Sequence, residues 1–305
     1  MYKIIFFGTS KISADILEYL LKVNQIQIVA VVCQKDQKNI PEVKKVCLKN
    51  NLKIYQPDKL KPLFNEISLL SPDLIITCSY GKIIPSCYLN LPKYKCVNIH
   101  TSFLPLLRGP NPIRYAIMQN LESTGVSLMY MDESMDTGNI IFQEQIKIQE
   151  KETYTSLYQK LTSLAVSILE KHLFSLFSSS LVSYPQNNEK ATYSSKLTRE
   201  DEKINWNKDC VSIDCFIRSL KDEPIPYTEY ENVLVKIHDI SYSIQDTDSS
   251  ILEGTIISYD KKGIHVKVKD GIINIEKLQI PGKKPILFKD MINGNHIFKV
   301  GKKFN

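Results

Sequence analysis

A doubly wound, mostly parallel α/β sheet followed by a small β-barrel is the fold class that the sequence predicts. Over the first half, short and continuously apolar runs alternate with amphipathic stretches. Parallel strands buried on both faces read this way, and strand alternating with helix is the signature of βαβ units. A polar stretch from Ser178 to Asn188 then interrupts the pattern. Beyond Pro226 the chain changes to short strands divided by glycine turns, as in a small barrel of the oligonucleotide-binding type. The expected division is a first domain over 1–188, a linker over 189–204 and the barrel over 205–305.

Taken in order, Lys3 to Gly8 reads as the first strand. It is too short for a secretory leader, and neither a basic segment before it nor a small-residue cleavage site after it is present. Ser10 or Ser13 is placed to cap the helix that buries Ile16, Leu17, Leu20 and Leu21. Strands are expected at Gln27 to Cys33, Lys53 to Tyr55 and Asp73 to Cys78, with a helix from about Pro41 to Asn50. The first turn has one glycine rather than Gly-x-Gly-x-x-Gly, so NAD and FAD are rejected. Cys96 to His100 is the next strand, a helix follows Pro112, and Gly125 to Met131 is a strand that empties into Asp132 to Ile140. A long helix from about Thr155 to Phe177 repeats leucine and isoleucine at helical spacing. In the second domain a helix is expected near Asp209 to Leu220, then strands at 234–237, 254–257, 263–268 and 272–275.

The chemistry concentrates at the end of the strand Cys96 to His100. Residues two apart on a strand share a face, so Asn98 and His100 project together where an open parallel sheet binds its ligands. An amide there can steady a developing oxyanion and an imidazole can move a proton. Asp136, in the acidic loop after the following strand, is expected at the same sheet edge, where a carboxylate would orient the imidazole and stabilise its protonated form. No serine or cysteine nucleophile accompanies His100 in sequence, so direct acyl transfer to an amine is the simplest use. A lone histidine is more often structural; its place beside Asn98 at a strand end reverses that preference. His172, His238, His265 and His296 show no ligand spacing and read as surface or structural residues. Asp132 and Asp136 could suggest Mg²⁺, but loop acids are usually solvated, and no metal is expected.

Composition sets outer bounds. The chain is 305 residues long, 43% hydrophobic and 24% charged, which is the balance of a globular protein with ample core. No apolar run approaches a membrane span, so no membrane association is expected. Seven cysteines with no Cys-x-x-Cys spacing read as reduced core residues and point to the cytoplasm. The net charge of +6 is unevenly spread: from Gly254 onward eleven lysines face four carboxylates, a net +7. Such a segment suits a polyanion, although a lysine-rich composition would produce it equally well.

At these residues a resemblance becomes specific. Asn98-Ile99-His100-x-Ser102-Phe103-Leu104-Pro105-x-x-Arg108-Gly109, Thr124-Gly125-Val126-Ser127-Leu128-Met129 and Met135-Asp136-Thr137-Gly138-Asn139-Ile140 together resemble the 10-formyltetrahydrofolate-dependent formyltransferases. The resemblance implies a Rossmann-like catalytic domain with Asn98, His100 and Asp136 as its catalytic set. It implies folate contacts from Ser102, Phe103, Leu104 and Pro105, and from the Tyr80-Gly81-x-Ile83-Ile84-Pro85 loop, with 10-formyltetrahydrofolate as co-substrate. Within the family the chain is similar, over nearly its full length, to the branch that formylates methionyl-initiator-tRNA. Met1 to Thr9, Tyr55 to Leu60, Lys196 to Trp206 and Leu278 to Lys284 carry that likeness. It implies initiator Met-tRNA as partner, a monomer, and an RNA-backbone role for the late basic segment. One departure stands out. After Asp36 the branch usually carries a basic, glycine-containing insertion that enters tRNA recognition, whereas Gln37-Lys38-Asn39-Ile40-Pro41 is shorter and lacks arginine. Discrimination of the acceptor end is therefore expected to rest on other groups or to be looser. Rival readings are formyl transfer to an amino sugar nucleotide or glycinamide ribonucleotide, which needs no basic β-domain, and an RNA-binding protein with an inactive first domain.

Overall fold

A computed structural model describes residues 1–37, 39–178, 180–221, 224–294 and 296–305. Lys38 of the shortened segment and Ser179 of the polar stretch thus lie outside the described residues. Strands β1 (Tyr2–Gly8), β2 (Ile26–Val32), β3 (Ile54–Tyr55), β4 (Leu74–Cys78), β5 (Cys96–His100), β6 (Ser123–Tyr130) and β7 (Ile140–Lys147) form one sheet in the order β3-β2-β1-β4-β5-β6-β7. The first five are parallel, and β6 and β7 are antiparallel additions. The chain reverses its direction of growth between β1 and β4. In open α/β sheets ligands bind beyond the strand ends at such a switch.

Helices α1 (Lys11–Leu20), α2 (Glu42–Lys49), α3 (Phe64–Ser68), α4 (Ser86–Leu89), α5 (Pro112–Met118) and α6 (Tyr154–His172) connect or follow these strands. A 3₁₀ turn over Leu173–Phe177 completes the long helix expected to Phe177. The core strands Ile4 to Phe7 and Leu74 to Cys78 are buried residue after residue, which is why they read as apolar runs. Ser10 stands at the N-cap of α1 without a side-chain cap bond. Ser13, inside the helix, instead donates to the Cys78 carbonyl on β4 at 2.6 Å.

The second set of strands is antiparallel. After α7 (Cys210–Ser219) come β8 (Tyr227–Tyr230), β9 (Val233–Ile244), β10 (Ile256–Asp260), β11 (Gly263–Val268), β12 (Gly271–Gln279), β13 (Ile286–Leu287) and the short α8 (Phe288–Met291). They run β10-β11-β12-β9-β8, with β13 on β12. Residues 301–305 close this path into a barrel. Phe304 N donates to Gly254 O at 2.9 Å beside β10, while Asn305 N donates to Glu229 O at 2.9 Å on β8. The core is apolar and aromatic: Tyr230, Val235, Ile237, Ile264, Val266, Ile273, Phe298 and Phe304 are among its buried members.

The chain divides into two compact units. One comprises Met1–Pro112, Ser123–Lys147 and Tyr158–Ser195; the other comprises Ile113–Glu122, Ile148–Leu157 and Lys196–Asn305. The expected linker 189–204 is therefore not a free connector. Its first part is laced into the first unit, with Arg108 N donating to Thr192 O at 2.9 Å and Ser194 N to Arg108 O at 2.7 Å. Two short excursions, 113–122 and 148–157, belong instead with the barrel unit, which the alternation of strand and helix did not reveal. Among the described residues no helix is long and apolar enough to cross a membrane.

Candidate active site

Asn98, His100 and Asp136 converge. Asn98 and His100 share one face of β5, and Asn98 is paired in register with Thr77 on β4. Asn98 Nδ2 donates to Asp136 Oδ1 at 3.3 Å, and Thr77 Oγ1 donates to Asn98 Oδ1 at 2.7 Å. A carboxylate only accepts, so the amide nitrogen must face Asp136 and the oxygen Thr77. His100 is buried, 6% exposed. Its Nδ1 lies 3.6 Å from Asp136 Oδ2, and its Nε2 meets the Leu107 carbonyl at 3.0 Å. The carbonyl only accepts as well, so Nε2 carries a proton in this contact.

Asp136 arrives by a route the sequence did not reveal. The strand before it was expected to empty its loop directly at the ligand edge. Because β6 is antiparallel to β5, its end lies opposite the start of β5, with Met131 N donating to Cys96 O at 2.9 Å. The loop then turns back along β5, and Asp136 occupies the left-handed region at φ +55°. Gly109 N anchors its Oδ2 at 2.8 Å. Only glycine serves there: φ is +109° and a Cβ would meet the Ser194 carbonyl at 2.2 Å. Asp132 is occupied in shaping the loop, accepting from Thr137 Oγ1 and Ser134 N.

The remaining residues singled out from sequence fall into two groups. Ser102 and Leu104 turn inward. Ser102 Oγ donates to Leu106 O at 2.6 Å, and Leu104 packs with Met129 and Ile140. Phe103 and Pro105 are half-buried, and the Leu104–Pro105 peptide is cis. On the loop after β4, the Tyr80 ring packs edge-on to Phe7 at 5.2 Å. Its carbonyl accepts from Gln34 Nε2 at 2.7 Å and Thr9 Oγ1 at 3.2 Å, while burial pushes its phenol up to about 12. Gly81 follows at φ +79°. Tyr80 and Gly81 therefore flank the switch between β1 and β4.

Sequence reasoning missed Thr77, the Leu107 carbonyl and Gln186. Gln186 stood in a polar run read as linker, yet it is 9% exposed and donates to the carbonyls of Asp136 and Gly138. A signal existed for Thr77: a hydroxyl inside an otherwise apolar strand needs a partner. The other histidines take no part here. His172 stacks on Phe142 and His265 meets Asp260 at 3.2 Å, while His238, whose pKa is lowered by burial, faces Gln279 at 3.4 Å. His296 lies among Tyr259, Phe288 and Phe298.

The late lysines are mostly at the surface. Nine of the eleven from Gly254 onward are exposed, but Lys277 is half-buried. Lys267 is buried and paired with Glu253 at 3.2 Å, so it leaves the free basic set. All seven cysteines are unpaired and only Cys87 is exposed.

Comparison with known proteins identifies the family. Residues 2–173 match the formyl transferase family and residues 196–296 its C-terminal domain. The chain is 35% identical over 304 residues to the methionyl-tRNA formyltransferase of Ureaplasma parvum, covering 97% of this chain and 99% of that one. It is 37% identical over 313 residues to the methionyl-tRNA formyltransferase of Staphylococcus aureus, covering 99% of both. Among solved structures, an N-formyltransferase from Helicobacter canadensis in complex with folinic acid and dTDP-3-aminofucose shares the fold. The TM-score is 0.67 at 22% identity, over 92% of this chain and 98% of that one. Fold, domain order and full-length likeness agree: the chain belongs to the methionyl-tRNA formyltransferase family.

Proposed function

We propose that this protein transfers the formyl group of 10-formyltetrahydrofolate to the α-amine of methionine on initiator tRNA. The observation that carries the chemistry is the convergence of an amide, an imidazole and a carboxylate beyond β5. The amine attacks the formyl carbon, and the carbonyl oxygen gains negative charge as the new C–N bond forms. Asn98 Nδ2 has one N–H committed to Asp136, which leaves the second free for that oxygen. His100 takes the amine's proton on Nδ1, since Nε2 already serves Leu107. The imidazolium then faces Asp136, at 3.6 Å in the present geometry, and opposite charges at that range attract. Return of the proton to the departing folate nitrogen accompanies cleavage of its bond to the formyl carbon and leaves tetrahydrofolate.

The folate co-substrate is assigned to the strand-end crevice between the loop after β4, with Tyr80 and Gly81, and the loop 102–105. Phe103 and Pro105 can offer side chains there, whereas Ser102 and Leu104 shape the loop from inside: Ser127 Oγ donates to Ser102 O at 2.7 Å, Leu104 N donates to Ser127 Oγ at 3.1 Å and Gln143 Nε2 donates to Leu104 O at 2.8 Å. The exposed lysines of the barrel unit supply phosphate contacts for the tRNA. A single chain contains every group invoked, which supports action as a monomer.

The test is formyl transfer from 10-formyltetrahydrofolate to charged initiator tRNA, charged elongator Met-tRNA and a dTDP-linked amino sugar. Transfer to initiator tRNA in preference to both others is expected. Equal transfer to both tRNAs would place discrimination in the insertion that is shortened here. Transfer to the amino sugar alone would overturn the acceptor assignment.

A further inference from the structure

Gln186 uses both ends of its amide inside the first unit. Its Oε1 accepts from Arg108 Nε at 3.0 Å and from Arg108 Nη2 at 2.8 Å. Its Nε2 donates to the Asp136 carbonyl at 2.8 Å and the Gly138 carbonyl at 2.9 Å. Arg108 itself is 2% exposed, and Asn188 Oδ1 accepts from its Nη2 at 2.8 Å. Amide oxygens thus accept from Nε and Nη2 of this buried guanidinium and fix its plane.

The turn that Gln186 holds is tight, and Asp132 supports only its outer part, accepting from Ser134 N and Thr137 Oγ1. Asp136 sits in the left-handed region, and a Cβ on Gly138 would lie 1.8 Å from the Tyr130 carbonyl. The same short segment grips Asp136 twice. Arg108 restrains its backbone through Gln186, while the next residue, Gly109, holds its carboxylate through the backbone N–H. Displacing the loop would move the carboxylate from both Asn98 and His100.

We infer that Gln186, braced by buried Arg108, is a positioning residue that holds Asp136 against His100. The inference rests on the reading of Asp136 given above. It also explains an amide rather than a carboxylate at 186. Glutamate would satisfy Arg108 but has no N–H to give the two carbonyls, and it would add negative charge beside Asp136.

The experiment is a double-mutant cycle on single-turnover formyl transfer, using Gln186→Glu, Gln186→Met and Asp136→Asn in the full chain. Gln186→Glu keeps an acceptor for Arg108 but leaves the Asp136 and Gly138 carbonyls without their donor, so its melting temperature should fall by a few degrees while the protein stays folded at the assay temperature. Its kcat should fall about tenfold or more with KM for the acceptor tRNA within about twofold. Gln186→Met should also lower kcat, with a lower melting temperature. In the Asp136→Asn background both Gln186 substitutions should add little further loss, which a purely structural role would not produce. The same fold-loss in both backgrounds, or no loss from Gln186→Glu, would overturn the proposal. Near-normal turnover of Asp136→Asn alone would instead overturn the role of Asp136.

Discussion

Beyond β5, the first unit buries His100, Thr77, Arg108, Ser102 and Gln186 within a web of hydrogen bonds, and its backbone enters the left-handed region at Ser79, Leu107 and Asp136. The barrel unit is built in the opposite way. Around its closing segment, Trp206, Tyr230, Phe298 and Phe304 interleave with ring centroids 5.1–5.8 Å apart, and within this aromatic cluster the Trp206 N–H donates to Thr228 Oγ1 at 2.9 Å. Buried polar groups gain little net stability but are costly to leave unpaired, so they fix geometry. Aromatic burial is tolerant in direction and large in magnitude. One region is organised to hold a few atoms in place, the other to stay folded while presenting a charged surface.

The contrast is easiest to break in the barrel. Phe304 is fully buried and belongs to the segment that closes the sheet, so Phe304→Ala should cost about 3–5 kcal/mol of stability. Denaturant titration measures it; a loss below about 1 kcal/mol would mean that the closing segment is dispensable.

At the site the expectation reverses. Thr77→Val keeps the shape and leaves Asn98 Oδ1 without its donor, a penalty of about 1–2 kcal/mol. If that penalty falls on orientation of the amide, turnover drops about tenfold. Unchanged kinetics would show that β5 alone orients Asn98.

Asp209 sharpens the comparison by a smaller amount. It caps α7, accepting from Ser212 N at 2.8 Å, and that backbone bond, followed by the Ser212 hydroxyl, holds its carboxyl below the usual range. Asp209→Ala should cost about 1 kcal/mol at pH 7. Because the folded value is depressed, this contribution is complete above the unfolded pKa, about 4, and is lost as pH falls through the folded value. Urea titrations at pH 7 and pH 2.5 should show the gap between the two proteins closing; a constant gap would contradict the capping role. The smallest effect concerns the thiols. Burial pushes Cys33 up to about 11 and Cys47 and Cys78 up to about 12, whereas Cys87 is exposed. A thiol reagent under native conditions should modify one cysteine quickly, with little change in turnover; rapid modification of several would mean that the core opens.

Much of the first sheet was legible because its strands are buried on both faces and read as apolar runs. Asn98 and His100 were legible because strand periodicity puts them on one face. β7 and β8 escaped, since Ile140–Lys147 and Tyr227–Tyr230 mix polar and apolar residues without a clean period, and in β8 the polar Thr228 is itself buried. Gln186 escaped for a different reason. Polarity predicts exposure only when water is the partner, and here the partner is a buried arginine 78 positions away. The path of Asp136 back along β5 depended on the direction of β6, which no local pattern encodes.

The proposed transfer turns on Asn98 and His100 acting on the formyl carbon and the amine. The direct measurement is single-turnover formyl transfer from 10-formyltetrahydrofolate to charged initiator tRNA by the unaltered protein, Asn98→Ala and His100→Ala, with melting temperatures recorded in parallel. Each variant should remain folded and lose roughly a hundredfold or more in rate. A folded His100→Ala or Asn98→Ala protein with a near-normal rate would contradict it.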